Sequence, residues 1–516
     1  MSGIQQAQLD SDRVTPERPV DDASSDSGSI DSNVRVAHEV QIKSIFHNIA
    51  YCLLISATQM FSNGGIGLAA FTARDVAKGI HASSRDMVWF LAAYSLTSGV
   101  FVLIAGSIGD VFGPKYVLCA GWLLSAIFTL ISGFSISPIM FDVMRGLAGA
   151  GNSLIIPCAF ALLARAYPPG SKWKNFSFAL LGFFAPSGFV IGGAVGAGMS
   201  HSHIWRWGYW LYSILLLTLC IASFVVIPHR LGCGLPHATM RNFDYVGSFL
   251  GVAGLFLFAC AWNQASLVGW ETPHTYIILI VGILMIVSFI FWELYVTNPV
   301  LPPSIWTRKG FTAVILAMLF GWMSFGIFLY FAPEFLMTLR NVSSLSAVGE
   351  FSPVVVCGFI ATMTCGAIVD HLPVQVFFII SCFGFMFGNI MFANADVHQI
   401  YWAMTFPALA LVALGPDLSF TAGSIVISNS LKHHEQAKGG SMVNTVVLYG
   451  AGLGMGFAGT VEHYVQKNTN DQHLAFRSAF FFAFGLAVLS LLIVVLFIRD
   501  PRKFHSKEAT SKESPA

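Results

Sequence analysis

The chain has 516 residues, of which 55% are hydrophobic and only 10% charged, with a formal net charge of +1 and a mean hydropathy of +0.70. A soluble surface needs about 25% charged residues, and a nucleic-acid-binding one needs a clustered basic excess; both classes are excluded. The surplus apolar surface must face lipid, so an all-α polytopic membrane protein is expected.

Residues 1–43 are polar and lack the apolar core of a cleavable signal peptide, so a solvated tail is predicted and the first span itself directs insertion. Apolar segments follow, each of the ~20 residues needed to cross a bilayer core. They fall at 45–73, 86–108, 116–134, 138–165, 173–199, 208–228 and 244–264, then at 274–294, 311–334, 346–369, 374–393, 399–427, 436–461 and 475–498. These fourteen transmembrane helices are predicted to form a six-helix bundle over 44–229 and a linker with two extra transmembrane helices over 230–309. A second six-helix bundle over 310–498 and a tail over 499–516 complete the chain. An even number of spans puts both termini on one side. With the N-terminus inside, the inner loops and tails hold 19 basic residues against 7 in the outer loops, which places both termini in the cytosol.

Of the nine cysteines only Cys233 falls in a connecting loop, and no Cys or His group has metal-ligand spacing. Neither a metal nor a disulfide framework is expected. No Gly-rich phosphate loop with Lys is present, which argues against ATP-driven transport; no enzyme signature and no cofactor motif were found.

The link after the second span reads Gly106-Ser107-Ile108-Gly109-Asp110, and the link after the tenth reads Gly366-Ala367-Ile368-Val369-Asp370. A Gly-x-x-x-Asp at corresponding points of two six-helix groups points to parallel halves around a central site, a transporter architecture. In the first copy, Gly106 and Gly113 permit close helix approach and a tight turn. Asp110 can accept from backbone donors at a helix N-terminus, and Lys115 anchors the inner face. The loop reads as a gate between the halves, or as an ordinary tight turn.

Arg145 is the one basic residue inside a span, where desolvation costs about 2.5 kcal/mol or more. Asp142, one helical turn earlier, can pair with it. Arg145 then senses protonation of a carboxylate, or forms a structural pair. The fifth span carries Pro186, Gly188, Gly192 and Gly193, a kinkable small-residue stripe that lets it press on a neighbour. Asp417 lies near the middle of the twelfth span, where an ionisable residue is a functional candidate by default. It reads as a proton-coupling residue or as a hydrogen-bonded packing residue; Glu334 and Glu350, its competitors, are predicted to lie near the surface. Asn152, Trp322, Phe325, Tyr330 and Asn444 are candidates to line a substrate cavity. Asn341-Val342-Ser343 is a glycosylation sequon in a predicted outer loop.

Gly106 to Lys115 resembles the signature loop of the major facilitator superfamily, with Val111 and Pro114 where that loop is usually basic. Arg145-Gly146-Leu147-Ala148-Gly149 resembles the fourth-span motif, and Gly188-Phe189-Val190-Ile191-Gly192-Gly193 the antiporter motif, with Phe189 in place of Pro. Trp205-Arg206-Trp207, Asp244-Tyr245-Val246-Gly247 and Asn298-Pro299-Val300-Leu301-Pro302 are similar to the fourteen-span drug:proton antiporter branch. Gly415-Pro416-Asp417-Leu418-Ser419-Phe420 is similar to fungal members of aminotriazole-resistance type. The first-span carboxylate common in that branch is missing here, where the chain reads Phe61-Ser62-Asn63-Gly64-Gly65.

The resemblance implies a major facilitator fold (6 + 2 + 6) and a secondary transporter exporting a toxin, drug or secondary metabolite by proton antiport. An importer of an organic solute such as a siderophore and a non-transporting sensor are the alternatives. The expected partners are the lipid bilayer, a small-molecule substrate and protons. The protein is expected to be a monomer in the cell membrane, with the vacuolar membrane as the alternative.

Overall fold

Each apolar run becomes a helix, because a helix satisfies every backbone N–H and C=O within its own segment and so needs no water. The computed structural model describes residues 44–498 apart from 168–171, 202–203, 235–242, 298, 302, 309, 369–371 and 431–435. In chain order the first group of helices is α1 (Ile45–Gly79), α2 (Met87–Phe112), α3 (Pro114–Ser132), α4 (Pro138–Ser153), α5 (Ile155–Ala166), α6 (Lys172–His201) and α7 (Trp205–Val226). The inserted pair is α8 (Tyr245–Val268) and α9 (Pro273–Tyr295), followed by a single turn, α10 (Pro303–Trp306). The second group is α11 (Phe311–Thr338), α12 (Ser344–Glu350), α13 (Ser352–Ile368), α14 (Val374–Ala393), α15 (Thr405–Val412), α16 (Leu414–Ser430), α17 (Gln436–Thr469) and α18 (Gln472–Phe497).

Three expected spans are each split in two, and proline explains the breaks. The fourth span divides at Leu154, three residues before Pro157; the tenth at Phe351, before Pro353; the twelfth at Ala413, before Pro416. A proline lacks the N–H that would bond to the carbonyl four residues earlier, and its ring crowds that carbonyl. Pro186 and Pro333 are carried inside continuous helices.

Thirteen helical stretches among the described residues are long and apolar enough to cross a membrane. α1 is not one of them, although its 35 residues make a rod about 50 Å long. Asn48, Ser56, Thr58, Ser62 and Thr72 dilute its hydropathy, and all are buried against other helices. A span shielded from lipid has no need of apolar residues on every side. α1 completes the expected fourteen.

The helices form two groups. Within the first, α1 lies along α6 and α2 along α4; within the second, α11 packs on α17 and α18. The groups meet where α2 lies along α17 and where α6 lies along α12 and α13. The inserted α8 packs on both α2 and α17 and bonds to each. Trp89 Nε1 donates to the Asn263 carbonyl at 3.1 Å, and Tyr449 donates to the Leu255 carbonyl at 3.0 Å. Both ends of the described segment, at residues 44 and 498, lie at the end of the molecule that carries Asp110. His47 reaches the Val226 carbonyl there, and Gln375 donates to the Val494 carbonyl.

Candidate transport pathway

At the Asp110 end, Gly113 adopts φ 92°, and a Cβ there would collide with the Gly232 carbonyl. Only glycine fits that turn. The expected backbone partner of Asp110 is replaced by a side chain: Arg165, at the end of α5, stands 3.7 Å from its carboxylate and also donates to the Cys233 carbonyl at 2.6 Å. Lys115 is correspondingly buried, not a free anchor. It lies over the Phe224 ring and donates to the Ile227 carbonyl at 2.6 Å, closing the end of α7. These bonds all stay within the first group. The approach to the second group is made by Gly106, where a Cβ would stand 2.7 Å from the Ser441 hydroxyl of α17. Asp370, in the second copy of the loop, lies outside the described residues.

Arg145 is 1% exposed. The expected pair with Asp142 does not form. Nη2 donates to the Gly65 carbonyl of α1 at 2.6 Å, Nε donates to the Phe90 carbonyl of α2 at 3.3 Å, and the guanidinium sits 4.5 Å over the Tyr94 ring. The side chain reaches across the bundle to two helices, while Oδ1 of Asp142 is buried without a hydrogen-bond partner among the described residues. Asn152, two turns further along α4, donates to Ser62 of α1 and Ser98 of α2, both at 2.8 Å. Arg145 and Asn152 thus clamp α1, α2 and α4 together.

In α6 the glycines divide by face. A Cβ on Gly188 or Gly192 would strike the backbone of Met60 or Gly64 in α1, so these two residues set the α1–α6 approach. Gly193 faces the Phe71 ring and Val348 of the second group. Pro186 also faces the second group, beside Gly358, which Asp417 adjoins as well. A Cβ built on Gly358 of α13 would stand 2.6 Å from Asp417 Oδ2 and 3.1 Å from Pro186 Cγ. Asp417 Oδ2 is buried and has no hydrogen-bond partner among the described residues.

The aromatic candidates part company. Phe325 packs on Phe385 of α14 at 5.9 Å, inside the second group. Trp322 makes an edge contact with Phe325, and its indole N–H has no hydrogen-bond partner among the described residues. Asn444 donates back to the Gly440 carbonyl of its own helix. Tyr330 lies further along α11, 5% exposed. Glu334, expected near the surface, is 4% exposed. Asn341 is exposed in a tight turn with φ 55°.

Sequence reasoning missed a plug. Phe71 of α1, Phe189 of α6 and Phe351 between α12 and α13 meet with ring centroids 5.3–5.8 Å apart. Beside it Arg74 donates to the Met337 carbonyl of α11. The halves are therefore closed at the Arg74 end. No signal singles out three of 46 Phe, although Phe189 stands where the antiporter motif has proline. Two surface hollows, of 470 and 320 Å³, are each lined by one group only and lie off this path.

The sequence model of the Major Facilitator Superfamily matches residues 52–396 and 355–516. The chain belongs to that family. It is a membrane transporter, and the family is not one of enzymes. Among curated relatives, a low affinity ammonium transporter of Saccharomyces cerevisiae is 35% identical, over 88% of this chain and 89% of its own. The efflux pump terJ of Aspergillus terreus is 33% identical, with 88% and 89% covered. The aminotriazole resistance protein of Saccharomyces cerevisiae is 30% identical, with 92% and 88% covered. Among solved structures, a POT family transporter bound to a thioalcohol-conjugated peptide aligns over 90% of this chain and 100% of its own, with a TM-score of 0.67 and 10% identity. That likeness shows the fold.

Proposed function

We propose that this transporter exports a small organic compound from the cytosol in exchange for protons, by rocking its two six-helix groups about the inserted pair. The observation that carries the reading is the position of Asp417. One carboxylate oxygen is buried without a hydrogen-bond partner among the described residues, where α16 meets α13 beside Gly358, which Pro186 of the antiporter-like helix also adjoins. A carboxylate between moving parts can bind a proton in one arrangement and release it in the other, because burying a lone charge is costly and a proton removes that cost. Relatives described as an efflux pump and a resistance protein support export. They also support the expected kinship with the fungal drug:proton antiporter branch.

In this reading the Asp110 end, with both tails, faces the cytosol, as the basic-residue asymmetry requires. The Arg74 end and the Asn341 sequon face outward, at the cell membrane. Asp110–Arg165 braces the first group near the inner mouth, and the phenylalanine plug is the outer gate. The protein works as a monomer. The relative described as an ammonium transporter favours a second reading, uptake of a small solute through the same fold.

The test is uptake into inside-out vesicles presented with candidate compounds, with and without an imposed proton gradient. Export predicts accumulation only when the vesicle interior is acid. Accumulation unaffected by collapsing the gradient contradicts proton exchange, and movement only in the opposite direction favours uptake.

A further inference from the structure

The inserted helices α8 and α9 make a single body. A Cβ on Gly254 of α8 would stand 3.0 Å from the Ile286 side chain of α9, and one on Gly282 of α9 would stand 2.7 Å from the Phe258 backbone nitrogen of α8. At the Asp110 end, Trp292 of α9 donates at 3.0 Å to the carboxylate of Asp244, which caps α8. The attachments of this body to the two groups are unequal.

Toward the second group, α8 runs parallel to α17 and is pinned at several levels. Tyr449 donates to the Leu255 carbonyl at 3.0 Å, Asn263 Nδ2 to the Gly452 carbonyl at 3.3 Å and Thr460 to the Trp262 carbonyl at 3.2 Å. All three donor side chains are buried. Just beyond α8, the Trp270 backbone N–H donates to the Tyr464 hydroxyl at 3.0 Å, and Lys467 pairs with Glu271 at 2.8 Å. The offset between partners stays within 189–198 positions, as it must for two parallel helices in one register. Glycines of α17 admit α8 closely. A Cβ on Gly456 would stand 2.6 Å from Asn263 Nδ2, and one on Gly459 would stand 2.9 Å from Ser266 Cβ.

Toward the first group, one hydrogen bond joins α8 to α2 among the described residues, from Trp89 Nε1 to the Asn263 carbonyl at 3.1 Å. Further along the same seam, Leu103 of α2 lies beside Gly251. Hydrogen bonds are directional and hold helices in register, whereas apolar contact is non-directional and tolerates sliding. We propose that the inserted pair belongs to the second group and travels with it, so that the seam which slides during transport runs between α8 and α2. Trp89 stands in the first turn of α2, at the Arg74 end, which is closed here. When the halves part at that end, α17 carries α8 away from α2. The bond from Trp89 to Asn263 then breaks, while the bonds to α17 persist. The inference rests on the rocking proposed above and moves its pivot from the inserted pair to one flank of it. It depends on neither the direction of transport nor the proton.

The test places a cysteine at Val348, which is 4% exposed, in a Cys233→Ser protein held in nanodiscs. Its reactivity toward a membrane-impermeant maleimide is read as a ratio to that of Asn341→Cys. Trp89→Phe removes a bond made only in the closed state. It should raise the ratio about two- to tenfold, the shift that one hydrogen bond of ordinary net strength produces. Tyr449→Phe and Thr460→Val remove bonds made in both states, so they should lower the melting temperature and leave the ratio unchanged. An unchanged ratio in Trp89→Phe, or an equal rise in the other two, overturns the assignment. Spin-label distances in the unmutated seam give a second reading, with labels at the exposed positions Ser84 before α2, His274 in α9 and Asn468 in α17. The distance between 274 and 468 should be narrowly distributed, and those from 84 to 274 and from 84 to 468 broad. A spread between 274 and 468 as wide as the other two overturns the inference. Neither measurement needs a substrate or a gradient, so a failure of export in vesicles is told apart from a failure of this assignment.

Discussion

Arg145 Nη2 donates to the carbonyl oxygen of Gly65 at 2.6 Å, so the charged group of the fourth span is held by the backbone of the first. The same guanidinium holds Phe90 and covers Tyr94. Its charge is answered by dipoles and a π-face in place of a carboxylate, and the role we propose for it is to keep three helices moving as one body.

Arg145→Lys keeps the charge but cannot reach both carbonyls from one planar fork. Losing one such bond should cost about 1–3 kcal/mol, read as a lower melting temperature in detergent, with transport falling at equal protein level. Asp142→Asn should be milder, since no ion pair is lost. Equal damage from the two would restore the Asp142 pairing.

The glycines of α6 should rank by what each one faces. Gly192→Leu drives a side chain into the Gly64 backbone of α1 and should lower the amount of folded protein. Gly193→Ala meets the Phe71 ring and a Val348 methyl, which can shift, so folding should survive, with a cost within the ~1–3 kcal/mol typical of overpacking. Thermal stability of the two purified variants checks the order, and the reverse order contradicts the packing described.

Much of this was legible in the sequence, and the gaps have physical causes. Span positions follow from apolar length. Asp417 stands out because a carboxylate is rare at that depth. The partners of Arg145 were not legible, because they are carbonyls on helices 55 and 80 residues away and every residue has a carbonyl. Asp142 was merely the nearest acid in sequence. Glu334 looked superficial because it lies near the end of its span, yet it is 4% exposed. The plug joins residues from α1, α6 and the break between α12 and α13, and no local pattern marks such a meeting.

Cys233 is the one exposed cysteine of the nine. It should react with an impermeant thiol reagent only from the cytosolic side, while a cysteine placed at Asn341 reacts only from outside. Intact cells and inside-out vesicles from the same preparation give the two readings. Reaction of both sites from one side would contradict the topology.

Truncating Phe351 to Ala should loosen the closed outer mouth. Removing a buried phenylalanine costs about 3–5 kcal/mol, and here most of that falls on the state in which the plug is assembled. A cysteine placed at Val348, which lies beside Gly193 as Phe71 does, should then react faster with an impermeant thiol reagent added outside. Unchanged reactivity, with the protein folded, would show that the plug does not gate.

The central claim is that Asp417 carries the exchanged proton, and Asp417→Asn in proteoliposomes tests it most directly. Asparagine has the shape of the protonated acid and cannot release a proton. The variant should lose export driven by a pH gradient while retaining gradient-independent exchange of substrate across the membrane. Gradient-driven export with an unchanged pH profile in Asp417→Asn would contradict the account.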